Sequence, residues 1–164
     1  MVLVVPPTSS SASGLGYSVD LATAFTSATQ ARSHPAVTYD QGLVPLGSRV
    51  RFVQFRRHVG GDAGNVFVET LRVWGLKPRA RFYAYAYSHR CGLMASVAGA
   101  RVQDQPKPSH YSQNEIWLGF RTDVRGDAAS SASQYWLGVG HAESVVIDAR
   151  PNADPVACIS VALQ

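Results

Sequence analysis

Three tyrosines, Tyr83, Tyr85 and Tyr87, stand at alternate positions of one aromatic-rich segment. At the two-residue period of a β-strand they share a face, a setting in which aromatics are favoured. Five histidines, His34, His58, His89, His110 and His141, are the natural imidazole ligands, and none stands at an H-x-H, H-x-x-x-H or H-E-x-x-H spacing. Cys91 and Cys158 are the only cysteines. Without a C-x-x-C they are no zinc site by themselves, and they read as two buried thiols or as one long-range disulfide. Gly60, Gly61 and Gly64 precede a strand rather than a helix, so they form no phosphate loop, and no G-x-S-x-G elbow exists for a nucleophilic serine. The net charge is +4, yet the longest basic run is Arg56-Arg57, which argues against nucleic-acid binding.

Short strands must position these residues. Hydrophobic residues at 46% exclude a wholly disordered chain, and no apolar stretch approaches the roughly 20 residues of a membrane span. Residues 1–35 are rich in Ser, Thr and Ala with little periodicity, and read as an extended N-terminal arm or tether outside the core, with a short helical turn over 20–29. The segment 1–5 is too short for a signal-peptide core, and the first positive charge is Arg32. From residue 36 to residue 164 the pattern becomes one domain of short strands. They are expected at 49–55, 66–74, 81–88, 115–122, 131–139, 144–149 and 157–163, with turns at 58–64, 75–78 and 123–127. Seven or eight strands so spaced predict an all-β antiparallel sandwich or barrel.

Several stretches, in order, carry a resemblance. They are Ala36-Val37-Thr38-Tyr39-Asp40, residues 73–78, residues 82–91, Ala98-Gly99, Asn114-Glu115-Ile116-Trp117-Leu118 with Phe120, Thr122-Asp123 and Gly126, then Ser144-Val145-Val146-Ile147 and Ala157-Cys158. Together they resemble the copper/zinc superoxide dismutases of the actinobacterial type, over about three quarters of the chain. The resemblance implies an eight-stranded Greek-key β-barrel flattened into a sandwich. It also implies a Cys91–Cys158 disulfide tying a loop to the last strand.

The departures bear on function. The family's copper His-x-His pair falls on Tyr85 and Tyr87, its bridging histidine on Arg101, and its last copper histidine on Asp148. The zinc aspartate falls on Gly119 and the superoxide-guiding arginine on Pro155. Copper cycling needs imidazole nitrogens; neutral tyrosine is a poor substitute and arginine cannot ligate. Loss across separated segments therefore implies a degenerate member without metal cofactor or dismutase activity.

Two readings of the vacated site stay open for each feature. Tyr83, Tyr85 and Tyr87 either fill the space the metal leaves or present a binding surface. Arg101 and Asp148 either form an ion pair in place of the metal or remain two solvated side chains. The expected role is a structural or protein-interaction subunit of a larger assembly, in an actinobacterial envelope or on a phage particle. It would reach its protein partner through the arm or the tyrosine face, and any membrane only through that partner. The disulfide would place it outside the cytoplasm or on a virion surface. The rival is an enzyme or metal carrier with a relocated site from Asp104, His110 and Asp148, including residual dismutase activity.

Overall fold

Alternation of apolar and polar residues builds ten strands among the residues that the computed structural model describes, which are 15–59, 64–104, 114–136 and 141–163. They are β1 (Leu15–Ala24), β2 (Thr26–Ser27), β3 (Ala36–Thr38), β4 (Arg49–His58), β5 (Asn65–Trp74), β6 (Arg81–Tyr87), β7 (Trp117–Arg121), β8 (Ala128–Gln134), β9 (Ser144–Ala149) and β10 (Asp154–Ser160). One sheet has the order β1-β4-β5-β8 and the other β2-β3-β10-β9-β6-β7. All ladders are antiparallel except the short β2–β3 pair. No helix among the described residues is long and apolar enough to cross a membrane.

The expected all-β fold is thus present as two sheets rather than as a closed barrel. At the β7–β8 seam the Ser130 hydroxyl donates to the Gly119 carbonyl at 2.9 Å, a side-chain bridge where a barrel would need a backbone ladder. The inner faces meet in one core. Phe52, Leu71 and Val73 come from the first sheet, and Phe82, Leu118, Ile147 and Ile159 from the second.

The segment read as an arm outside the core is different from residue 15 onward. Leu15–Ala24 is not helical over 20–24 but pairs with β4 as an edge strand, and only Ala28–Gln30 makes a 3-10 turn. Phe25, where the chain passes from one sheet to the other, is 1% exposed. Its amide donates to the Ser48 carbonyl and its carbonyl accepts from Gly47, so the crossing is hydrogen-bonded on both sides. Val19 and Leu21, two residues apart, pack against the core, which is the half-buried pattern of a strand in spite of the surrounding Ala and Thr. Of the strand expected at 131–139, residues 137–139 lie outside the described residues, and the described part belongs to a strand over Ala128–Gln134.

The turn at 75–80 is locked against the turn at 122–127. Thr122 Oγ1 donates to the Lys77 carbonyl at 2.6 Å, and Leu76 donates to the Gly126 carbonyl at 3.0 Å. Gly126 has φ +84°, and a Cβ there would lie 1.9 Å from the Leu76 oxygen. Only glycine fits both the backbone angle and the approach.

Candidate functional site

On β6 the two-residue period sends Phe82, Ala84 and Ala86 into the core and Tyr83, Tyr85 and Tyr87 to the outer face of the six-stranded sheet. Register assembles the rest of that face. Tyr83 lies between Asp148 of β9 and Gly119 of β7, and Tyr85 between Val146 and Trp117. Pro155 of β10 pairs with Asp148 on its other side. The rings pack edge to face, Tyr83 with Trp117 at 5.2 Å and with Tyr85 at 6.5 Å. Gly119 leaves room for this packing: a Cβ there would stand 3.2 Å from the Tyr83 ring.

Arg101 is the centre of the site. It pairs with Tyr87 through an isolated bridge, and its guanidinium lies 3.6 Å from the centroid of the Tyr85 ring. Nε donates to the Tyr87 hydroxyl at 3.4 Å, Nη1 to Glu115 Oε2 at 3.5 Å, and Nη2 stands 3.6 Å from Asp148 Oδ2. Gln103 donates to Glu115 Oε1 at 2.8 Å, which fixes the second carboxylate. Arg101 and Asp148 therefore form an ion pair, and the solvated alternative is excluded because the Asp148 side chain is only 4% exposed. Asp148 Oδ1 is buried without a hydrogen-bond partner. Burial pushes the Asp148 carboxyl up to about 6, while Arg101 and Arg150 pull it back down. Burial also raises the Tyr85 phenol, which stays a neutral phenol at neutral pH.

A site of this composition does not fit copper. It offers phenol oxygens in place of imidazole nitrogens and a carboxylate already facing a cation, and the group nearest all of them is a guanidinium that has no lone pair to give. Among the described residues no three His, Cys, Asp or Glu side chains group together. Asp104, held through its amide to the Asn114 carbonyl, is one of the three residues of the relocated site considered above; His110 lies outside the described residues.

Cys91 and Cys158 form a disulfide with their Cα atoms 5.7 Å apart. It ties the segment after β6 to β10 and sits in a small apolar cluster with Ala31, Val37, Ala98 and Val146. The Cys91 amide donates to Ser160 Oγ at 3.0 Å.

Sequence reasoning missed two groups. Glu115 and Arg150 both face the tyrosines, the latter 4.7 Å above the Tyr83 ring, yet neither has a telling spacing. The other is a buried polar cluster in the four-stranded sheet, where Gln54 and Gln134 both donate to Glu69 Oε1 at 2.9 and 2.8 Å. Strict alternation was its signal: Gln54 follows Val50 and Phe52, and Glu69 precedes Leu71 and Val73, on inward positions. No protein-family model and no curated protein matches the chain.

Proposed function

We propose that this chain is a degenerate, non-catalytic superoxide-dismutase-like domain, of Greek-key sandwich architecture, that serves as a structural or protein-interaction subunit of a larger assembly. The observation that carries the reading is the position of Arg101. Its guanidinium touches Tyr85 and Tyr87 and faces Glu115 and Asp148, so one organic cation gathers residues from β6, β9 and the loop segments around it. A metal ion does the same work in the family that the sequence resembles. Replacing the metal by a side chain keeps the cross-link and gives up the redox chemistry, because a guanidinium neither ligates nor cycles. The half-buried tyrosines and the 40% exposed Trp117 leave an aromatic face beside it, the composition that suits protein contacts. The disulfide supports a location outside the reducing cytoplasm, in an actinobacterial envelope or on a virion.

The test is elemental analysis of protein purified from its native source, with a dismutase assay after incubation with copper and zinc. The expected result is no stoichiometric metal and no activity. One tightly held copper or zinc per chain would overturn the reading. A pull-down from the same source identifies the assembly.

A further inference from the structure

The outer face of the six-stranded sheet has a second end. Arg81 opens β6 and Tyr87 closes it, so a site at Arg81 stands about 20 Å from the Arg101 end by strand rise. At that end Lys77, Arg79, Arg81, Arg121 and Arg150 line a single pocket, and no acidic residue lines it. None of the five makes an ion pair with a described residue.

The arrangement works against the free protein in two ways. First, Arg81 and Arg121 are direct cross-strand partners on the same face, and the Arg150 amide donates to the Arg81 carbonyl at 3.0 Å, so the residue that follows β9 adds a third guanidinium beside the pair. Like charges directly opposite one another destabilise a sheet. Second, Arg79 has φ +56°, a left-handed backbone that non-glycine residues rarely adopt. Its amide is held there by the Asp123 carbonyl at 3.1 Å. The Asp123 carboxylate does not relieve the charge, because its Oδ1 accepts from the Arg125 and Asp127 amides of its own turn. The Thr122 and Gly126 contacts that lock the two turns fix the pocket wall in place. Strain and repulsion kept together in one concave place point to an occupant that repays both.

We propose that this pocket binds a compact, multiply charged phosphoanion of the oligophosphate class. Four of its five cations are arginines, whose planar forks match phosphate oxygens bidentately. Their convergence on one pocket suits closely spaced charges better than an extended acidic strand. The proposal goes beyond the reading of Arg101 and does not rest on it.

The probe is sodium triphosphate, titrated calorimetrically into the full chain at constant ionic strength. Saturable binding at one site per chain is expected, with a raised thermal midpoint. The Arg81→Ala/Arg121→Ala variant should bind at least tenfold more weakly, while Arg56→Ala/Arg57→Ala, the same charge change on exposed β4 residues of the other sheet, should bind within twofold of wild type. Arg81→Lys/Arg121→Lys keeps the charge without the forks and should fall between, which preserves the test if the alanine variant does not fold. Absence of saturable binding, equal weakening by both alanine pairs, or tighter binding of a glutamate peptide of equal charge would each overturn the assignment.

Discussion

The Arg101 guanidinium carbon lies over the Tyr85 ring, 3.6 Å from its centroid, and from there the group reaches Asp148 on the neighbouring strand. The aromatic ring fixes one side of the cation and the carboxylates its edge. This explains why a buried aspartate is tolerated on β9 at all: Asp148 Oδ1 has no hydrogen-bond partner, so its charge relies on Arg101 and, more remotely, Arg150.

Arg101→Met should therefore destabilise the fold, and do so in a pH-dependent way. Removing one partner of a fully buried pair costs about 3–5 kcal/mol, and the 30% exposure of Arg101 lowers the expectation here to about 2 kcal/mol at pH 8. The Asp148 carboxyl, at about 6 in the native protein against an ordinary 3.8, loses its main downward pull in the variant and rises further. At pH 4 the carboxyl is protonated in the folded wild type and in the folded variant, and Asp148 titrates alike in the two unfolded chains, so the charge-dependent part of the loss disappears. Urea unfolding of both proteins at pH 4 and pH 8 measures this. A loss of equal size at the two pH values would show that Arg101 acts by packing alone.

The second carboxylate to follow is Glu69, which is 0% exposed. Burial raises it from 4.5 to about 7, against the opposing pull of the Gln54 and Gln134 amides. The sign follows from proton binding. Between pH 4.5 and 7 the native state holds a proton that the unfolded state has released, so stability falls as pH rises through that window. At about 1.4 kcal/mol per pKa unit the fall comes to roughly 3.5 kcal/mol, nearly complete above pH 7. Glu69→Gln keeps an oxygen for both glutamine donors and carries no charge. It should flatten the stability profile over pH 4.5–7 and raise stability at pH 8. Unfolding free energies that stay constant with pH in the wild type would contradict this.

The Cys91–Cys158 bridge spans a sequence separation of 67 residues. Constraining the unfolded chain by a loop of that length stabilises the fold by about 4 kcal/mol in the chain-entropy model. The double Cys→Ala variant, or wild type under reductant, should show a clearly lower thermal midpoint. Mass spectrometry without reductant should give a chain two hydrogens lighter than the dithiol. Two freely alkylated thiols in protein from its native compartment would contradict the bridge.

What was legible in the sequence follows the strength of local alternation. Residues 81–87 alternate cleanly, so the tyrosine face and its opposite core face could be read directly, and the run 144–149 is a strand with those same bounds. The Arg101–Asp148 relation was open between a pair and two solvated groups, because burial decides it and burial depends on Glu115, Tyr87 and Tyr85 arriving from elsewhere. The Glu69 cluster draws on β4, β5 and β8, and no single segment announces it. The five-cation pocket was hidden for a related reason. Lys77, Arg79 and Arg81 are spaced along one turn, and only the ladder to β7 and the hydrogen bond from the Arg150 amide, just past β9, to Arg81 bring Arg121 and Arg150 beside them.

β1 was misread because an edge strand needs only one apolar face and one partner. Val19 and Leu21 meet that need within a segment otherwise rich in Ala, Ser and Thr. The last prediction follows from its place in the fold. Deleting residues 1–35 would remove all nine β1–β4 pairs and Phe25 from between the sheets. Phe25→Ala alone should cost about 3–5 kcal/mol, as for other buried phenylalanines. In a domain of this size that lowers the thermal midpoint by about 10 °C. The deletion should go further and abolish cooperative unfolding, since it also bares the long edge of β4 and its Val50 and Phe52. Thermal unfolding of both proteins by circular dichroism decides the matter. A truncated chain that melts cooperatively within a few degrees of wild type would return residues 15–35 to the role of a detachable arm, and its binding to the native assembly would then be the quantity to measure.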